Sequence, residues 1–225
     1  MTTNWGGPAD TRMMGIVHDA LRRDLRRTRD ALAGTPPAAR RRAIAAHLGW
    51  LMDFLHAHHT GEDDGLYPLV RVIDPAAGEL LDTMSADHAA IDPAMDRLRE
   101  AAARWGGSGS ADDRQTLVTA LDDLEAVLLP HLDGEERDAM PLVAATISHR
   151  QWHAWDQRFN IKSKSLPALA EEGNWVLDWL DAPRRAIVEA LVPWLPRQII
   201  KHGFGPGYRR RAAVRWGDGT VRVPS

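Results

Sequence analysis

Apolar positions recur at intervals of three and four in four separate stretches of this chain, the period of an amphipathic helix and not of a strand. Met14, Val17, Leu21, Leu25 and Leu32 form the first stripe, with His18 on it and Arg22, Arg23, Arg26, Arg27 and Arg29 on the other faces. Asp10 or Thr11 is placed to cap this helix. Gly34-Thr35-Pro36-Pro37 ends it and starts the next, with Thr35 as the candidate cap. The second stripe, from about Ala38, runs through Ile44, Leu48, Leu51, Leu55, His58 and Glu62. Gly61 and Gly65 are poor interior helix residues, and Pro68 is expected to kink or end the helix. Residues 74–78 connect to a third helix over Glu79 to Arg104, with Leu80, Leu81, Met84, His88, Ile91, Met95 and Leu98 inward and a kink at Pro93. Gly106-Gly107-Ser108-Gly109-Ser110 reads as a flexible loop. The fourth stripe is Leu117, Leu121, Leu124, Leu128, His131 and Glu135.

Polar residues enter these stripes in a repeated way. His58 and Glu62 stand four apart and are followed by Pro68. His131 and Glu135 do the same before Pro141, and the step from histidine to proline is ten in both cases (58 to 68, 131 to 141). His18 and His88 each have a methionine four residues before them and an apolar residue three after. Residues four apart share a helix face about one turn apart, so each half of the repeat presents one lone histidine and one histidine–carboxylate pair. Two helical hairpins with short connections predict an all-α fold: an antiparallel up-down four-helix bundle over residues 10–147, with pseudo-twofold symmetry. Residues 1–9 read as a flexible arm.

Residues 148–225 read as a helical, Trp-rich extension. Six of the nine tryptophans fall there, at Trp152, Trp155, Trp175, Trp179, Trp194 and Trp216. Asp181-Ala182-Pro183 starts a helix with Ile187, Leu191, Trp194 and Leu195 on its apolar face. Past Lys201 the chain is basic, with Arg209, Arg210, Arg211, Arg215 and Arg222, and reads as a solvated end. The tryptophans are expected to pack this segment against the bundle or against a second subunit, giving a homodimer.

The totals narrow the chemistry. Without cysteine there is no disulfide, thiolate zinc site or iron–sulfur cluster. A net charge of −3 gives no reason to expect nucleic acid as the partner. No signal peptide and no apolar run long enough for a bilayer is visible, so a cytoplasmic protein that makes no membrane contact is expected.

Six inward polar groups remain: His18, His58, Glu62, His88, His131 and Glu135. Buried without partners in an apolar bundle, they would cost several kcal/mol each (about 2–7 for a neutral polar group). Bound metal removes that cost. Four imidazoles and two carboxylates exceed what one tetrahedral zinc needs, whereas a pair of octahedral ions bridged by Glu62 and Glu135 uses all six. Iron suits such a mixed set and leaves positions for oxygen, peroxide or nitric oxide.

With Leu66-Tyr67-Pro68 and Met140-Pro141, these six residues resemble the HHE domain of hemerythrin-like proteins over roughly residues 10–145. The resemblance implies a bundle around two iron ions joined by an oxo or hydroxo bridge. It also implies a small ligand, O2, H2O2 or NO. The oxygen-carrying hemerythrins use five histidines and two carboxylates, with two histidines four apart on the third helix. Here His88 is flanked at those distances by Met84 and Asp92. The chain is therefore similar to the four-histidine bacterial type, for which peroxide or oxygen-species chemistry comes first. The alternatives are iron or oxygen sensing without turnover, and a di-iron oxygenase acting on an organic substrate.

Other residues receive plainer assignments. His47 lies three turns before His58 and is expected to be a satisfied core histidine, with a supporting or substitute ligand role as the alternative. His56 and His59 point off the stripe and are assigned to the surface. Asp63 and Asp64 are expected to be solvated or capping, the alternative being to orient a ligand imidazole. Met14, Met84 and Tyr67 are assigned to packing.

Overall fold

The computed structural model describes residues 4–192 and 194–217, and of Trp194 only the backbone. Arg222 and the side chain of Trp194 therefore lie outside the described residues. Four long helices form the bundle: α1 (Arg12–Leu32), α2 (Ala38–Gly61), α4 (Gly78–Ser108) and α5 (Ala111–Gly134). Short α3 (Tyr67–Ile73) and α6 (Met140–Thr146) prolong the second and fourth of them. α2 packs on α4, α4 on α5, and α5 on α1. No strand occurs among the described residues, and no described helix is long and apolar enough to cross a membrane. The stripes are buried as their period requires, with Leu21, Leu25, Leu48, Leu51, Leu98, Leu121 and Leu128 almost wholly enclosed.

Pro68 and Pro141 neither end nor break their helices. Each long helix instead widens into a π turn that begins at a metal-motif glutamate, Glu62–Leu66 after α2 and Glu135–Ala139 after α5. The amides of Tyr67 and Met140 bond to the carbonyls of Glu62 and Glu135, five residues back. That extra residue places each proline in the first turn of the helix that follows, where its missing N–H is not needed.

Several local expectations change. Pro37, not Thr35, precedes α2 as its cap position. α4 runs through Pro93 to Ser108, so the glycine–serine stretch is a tight corner and not a loose loop. Gly109 there has φ +64°, and a Cβ on Gly106 would come within 2.6 Å of Ala45. Only glycine permits both features. The Ser110 hydroxyl then caps α5 by accepting the Asp113 amide at 3.1 Å. Residues 4–9 are pinned to the start of the extension: Ala9 donates to the Ile147 carbonyl (3.1 Å) and His149 to that of Gly7 (2.8 Å).

The extension is built into the bundle. It comprises α7 (His149–Asp156), α8 (Leu166–Leu177), α9 (Ala182–Leu191), α10 (Trp194–Gln198) and α11 (Gly205–Trp216), with π turns at Gln157–Ile161 and Ile199–Phe204. Gly61 and Gly65 exist in their helix to admit it. The Trp155 indole donates to the Gly61 carbonyl at 2.7 Å, and a Cβ on Gly65 would overlap the rings of Phe159 and Trp155. At the other end α8 lies on α1 and α11 on α2. Trp175, Val176, Tyr208, Ala212 and Trp216 thereby join the core that holds Leu25 and Leu51.

The basic end thus includes a helix, and its Arg215 is buried. Arg23 and Arg27, placed off the apolar stripe, turn inward to Asp24 and Asp178. Of the apolar face proposed for α9, Ile187 packs on the core beside the buried Val188, whereas Leu191 and Leu195 are exposed.

Candidate metal centre

All six inward residues expected from the sequence reach one buried region between α1, α2, α4 and α5. His18, Glu62 and Glu135 are fully enclosed, and His58, His88 and His131 nearly so. Their atoms converge. His58 Nε2 lies 3.4 Å from His18 Nε2 and 3.3 Å from Glu62 Oε1. His18 Nε2 is 3.3 Å from Glu135 Oε2, His131 Nε2 is 3.9 Å from the same oxygen, and His88 Nε2 is 3.6 Å from Glu62 Oε2.

A seventh residue joins them, and its surface assignment is corrected. His59 is buried, its ring stacked on His88 (centroids 4.0 Å apart, 9° between planes) and edge-on to His131 (5.4 Å, 79°). The ligand atoms fall into two sets, each within 4.8 Å: His18, His58 and Glu135, and His59, His88 and His131. Glu62 reaches both, one oxygen towards His58 and the other towards His88. The clue to His59 lay seven residues earlier, at Met52, which is also fully buried. The inward face of a bundle helix is wider than a single a/d stripe and takes in the neighbouring e position, which Met52 and His59 share.

The outward nitrogens are held by carboxylates, in an arrangement that repeats with the pseudo-symmetry. In both halves the acidic residue after the metal-motif glutamate reaches the lone histidine of the other half. Asp63 Oδ2 lies 2.9 Å from His88 Nδ1, and Glu136 Oε1 lies 2.9 Å from His18 Nδ1. Asp63 also accepts from Ser85 (2.6 Å) and Glu136 from Arg22 (2.7 Å). Such contacts leave Nε2 free to face the interior and fix the ring plane. Asp63 therefore takes the orienting role, while Asp64 is exposed. Tyr67 does more than pack, since its hydroxyl donates to Glu135 Oε1 at 3.2 Å. His47 is a satisfied core histidine, 2.7 Å from Asp24 and bonded by Arg215, and belongs to neither ligand set.

The outer nitrogens of His18 and His88 are satisfied, whereas the inner atoms, and also Nδ1 of His131, are left bare. Both oxygens of Glu62, both nitrogens of His59, Nε2 of His88 and His131, and Oε2 of Glu135 are buried without a hydrogen-bond partner. Buried polar atoms are seldom left so, and imidazole nitrogens with carboxylate oxygens are what divalent transition-metal cations take. The residues fit a metal centre.

Proton affinities reflect the crowding. Burial pushes the His58 pKa down to about 3, with the neighbouring His18 adding to the effect. His59 is held well below the ordinary value by burial and then by His88. Burial and the adjoining Glu135 push Glu62 well up. Burial opposes a charge on both His18 and Glu135, yet their contact outweighs it: His18 is raised and Glu135 is held down to about 2. A metal displaces protons from ligands that carry them, and the raised values of His18 and Glu62 keep their protons on to higher pH than usual. Affinity for ferrous iron is therefore expected to rise from about pH 6 to about pH 8 with net proton release. Calorimetry in buffers of different ionisation enthalpy checks this, and binding without proton release at the lower pH would contradict it.

An all-α bundle with a histidine and carboxylate cluster at its centre defines a helical metal-cation-binding protein. The chain matches the hemerythrin HHE cation binding domain over residues 11–143. It belongs to that family. No curated protein and no solved structure matches it.

Proposed function

We propose that the centre holds two iron ions and binds or reacts with a small oxygen species, with hydrogen peroxide as the leading candidate and O2 or NO as the other ligands of the same site. His18, His58 and Glu135 would hold one ion and His59, His88 and His131 the other, with Glu62 between them. The observation that carries this reading is the pair of three-residue ligand sets with a carboxylate reaching both. His59 changes its detail. The imidazole count becomes five, as in the oxygen carriers, with the fifth supplied by α2 in place of α4. Each ion would have three residues of its own together with the shared Glu62, and the positions left over on the pair would take the exogenous ligand. Bound iron would supply the electrons and the open coordination position. The chain's own groups orient the imidazoles, exclude water and place the Tyr67 O–H beside Glu135.

Metal analysis of the purified protein, with absorption spectra before and after peroxide, tests this. Iron near two per chain, a near-ultraviolet ferric band and a change on peroxide addition are expected. His59→Ala should lower the iron content towards one. A colourless protein with one zinc would overturn the reading.

A further inference from the structure

A column of aromatic rings leads from the ligand set into the seam filled by the extension. The His58 ring stacks on Phe54 (6.0 Å, 13°), Phe54 on Trp50 (5.9 Å, 27°) and Trp50 on His47 (5.4 Å, 18°), at steps of three and four along α2. Trp175 of α8 meets two of these rings edge-on, Phe54 at 4.7 Å and Trp50 at 5.3 Å. Trp175 is wholly enclosed and its indole N–H donates to Asp24 Oδ2 at 2.9 Å, the oxygen that also faces His47 Nε2 at 2.7 Å. Trp50 is half-buried and gives the column an edge near solvent. Trp105, equally enclosed in the same core, has no ring neighbour among the described residues, so packing a tryptophan in this core does not by itself require a column.

We propose that Trp175, with Trp50, is an electron relay between the metal centre and the surface, Trp175 serving as the site where the electron hole rests. This rests on the di-iron reading above. Tryptophan is an oxidisable side chain, and a cation on its ring is stabilised by a nearby anion. Asp24 is 2.9 Å from the indole nitrogen, whereas the Arg23 guanidinium, the nearest cation to that ring, is 5.8 Å from its centroid. That carboxylate is itself paired with Arg23 at 2.7 Å and Arg27 at 3.2 Å, so it acts on the indole through the hydrogen bond it accepts and not as a net negative charge. Arg27 faces Asp178 at 2.7 Å, which leaves its charge compensated.

The electron balance is simple. Hydrogen peroxide takes two electrons and two protons to become two waters. The protons come from solvent. Each electron leaves the Trp175 indole for the oxidised centre by way of Phe54 and His58, with the N–H bond retained and the indole left one electron short. Trp50 refills it, and a small outer-sphere one-electron reductant of the ascorbate class refills Trp50 from solvent. Two passages account for one peroxide.

The test uses the full-length, iron-loaded protein, freeze-quenched after mixing with hydrogen peroxide and read by electron paramagnetic resonance and absorption. With indole-deuterated tryptophan, a radical signal that narrows is expected, and ascorbate should quench it. Trp175→Phe, which keeps an aromatic ring in the seam, should lose at least about nine-tenths of that signal while keeping its iron. Peptide mapping should show oxidation at Trp50 and Trp175 in the parent protein. An iron spectrum that responds to peroxide with no tryptophan radical would overturn the relay alone, as would an undiminished radical in Trp175→Phe. An iron spectrum indifferent to peroxide would overturn the functional reading, and the relay with it.

Discussion

Asp24→Ala is expected to be the most damaging single replacement outside the metal ligands, lowering the unfolding free energy by about 3–5 kcal/mol. Asp24 is fully buried and is the meeting point of four side chains: Arg23 at 2.7 Å, Arg27 at 3.2 Å, His47 at 2.7 Å and Trp175 at 2.9 Å. Arg23 and His47 hold its carboxyl far below the usual range against the opposing effect of burial. Alanine would leave guanidinium groups enclosed with half their compensation gone. That costs far more than an exposed pair, for which about 0–1 kcal/mol is typical. In a chain of this size the loss corresponds to a fall in Tm on the order of 10 °C. Thermal unfolding of the metal-free protein measures it directly, and a change of under about 1 kcal/mol would show that the network is not a stabilising anchor of the extension.

Glu62→Gln is expected to act in opposite directions on the metal-free and metal-loaded protein. Without metal, both Glu62 oxygens are buried and unpartnered, and Glu135 lies close by. The folded-state pKa is therefore raised, and the sign follows from that. Stability is greatest below the unfolded value, about 4.5, and falls as pH rises from there towards the folded value. At neutral pH the cost is present, and an uncharged amide removes much of it, so the metal-free Tm should rise. With iron offered, the variant loses the one carboxylate that reaches both ligand sets. Affinity for the second ion should fall by about 100-fold or more, beyond what losing a supporting outer residue usually costs. Unfolding curves with and without iron separate the two effects. A variant that is less stable than its parent when metal-free would contradict the reading of Glu62 as a residue held at the expense of stability.

The stability conflict at Glu62 also accounts for why the centre was legible in the chain. Leucines at steps of three and four made each stripe a core face, so a histidine or glutamate on it had to be buried and needed a partner. His18, His58, Glu62, His88, His131 and Glu135 all stood on such stripes, and all six reach the centre. His59 did not stand on one. It was missed because a stripe drawn through single positions is narrower than the face a bundle helix buries. Glu136 and Asp63 raise a different difficulty. Nothing local distinguishes an acidic residue that holds an imidazole from one that is solvated, because the partner comes from another helix. Asp63 meets His88 across 25 positions and Glu136 meets His18 across 118.

The extension was the least legible part, again for a physical reason. Its helices are short, proline-interrupted and packed on a seam whose shape only the folded bundle defines. Arg27 and Arg215 are drawn inward by a carboxylate and an imidazole contributed by other parts of the chain, and Arg23 by its neighbour Asp24 and the distant Asp178 carbonyl. The two glycines at 61 and 65 pointed to a weak helix, yet they are the groove for Trp155 and Phe159, two rings that no local pattern connects to them.

By itself, then, the sequence determined the helical class, the four stripes, the twofold repeat and six of the seven inward polar residues of the centre, because burial periodicity is a local property of each helix. Tertiary structure alone decided how Pro68 and Pro141 are carried through π turns, that His59 joins the buried cluster, and which carboxylates orient the rings. It also decided that Asp24 ties the extension to the bundle beside a buried tryptophan. Those outcomes depend on which atoms from distant segments come within hydrogen-bond reach, and that distance is settled only when the helices pack.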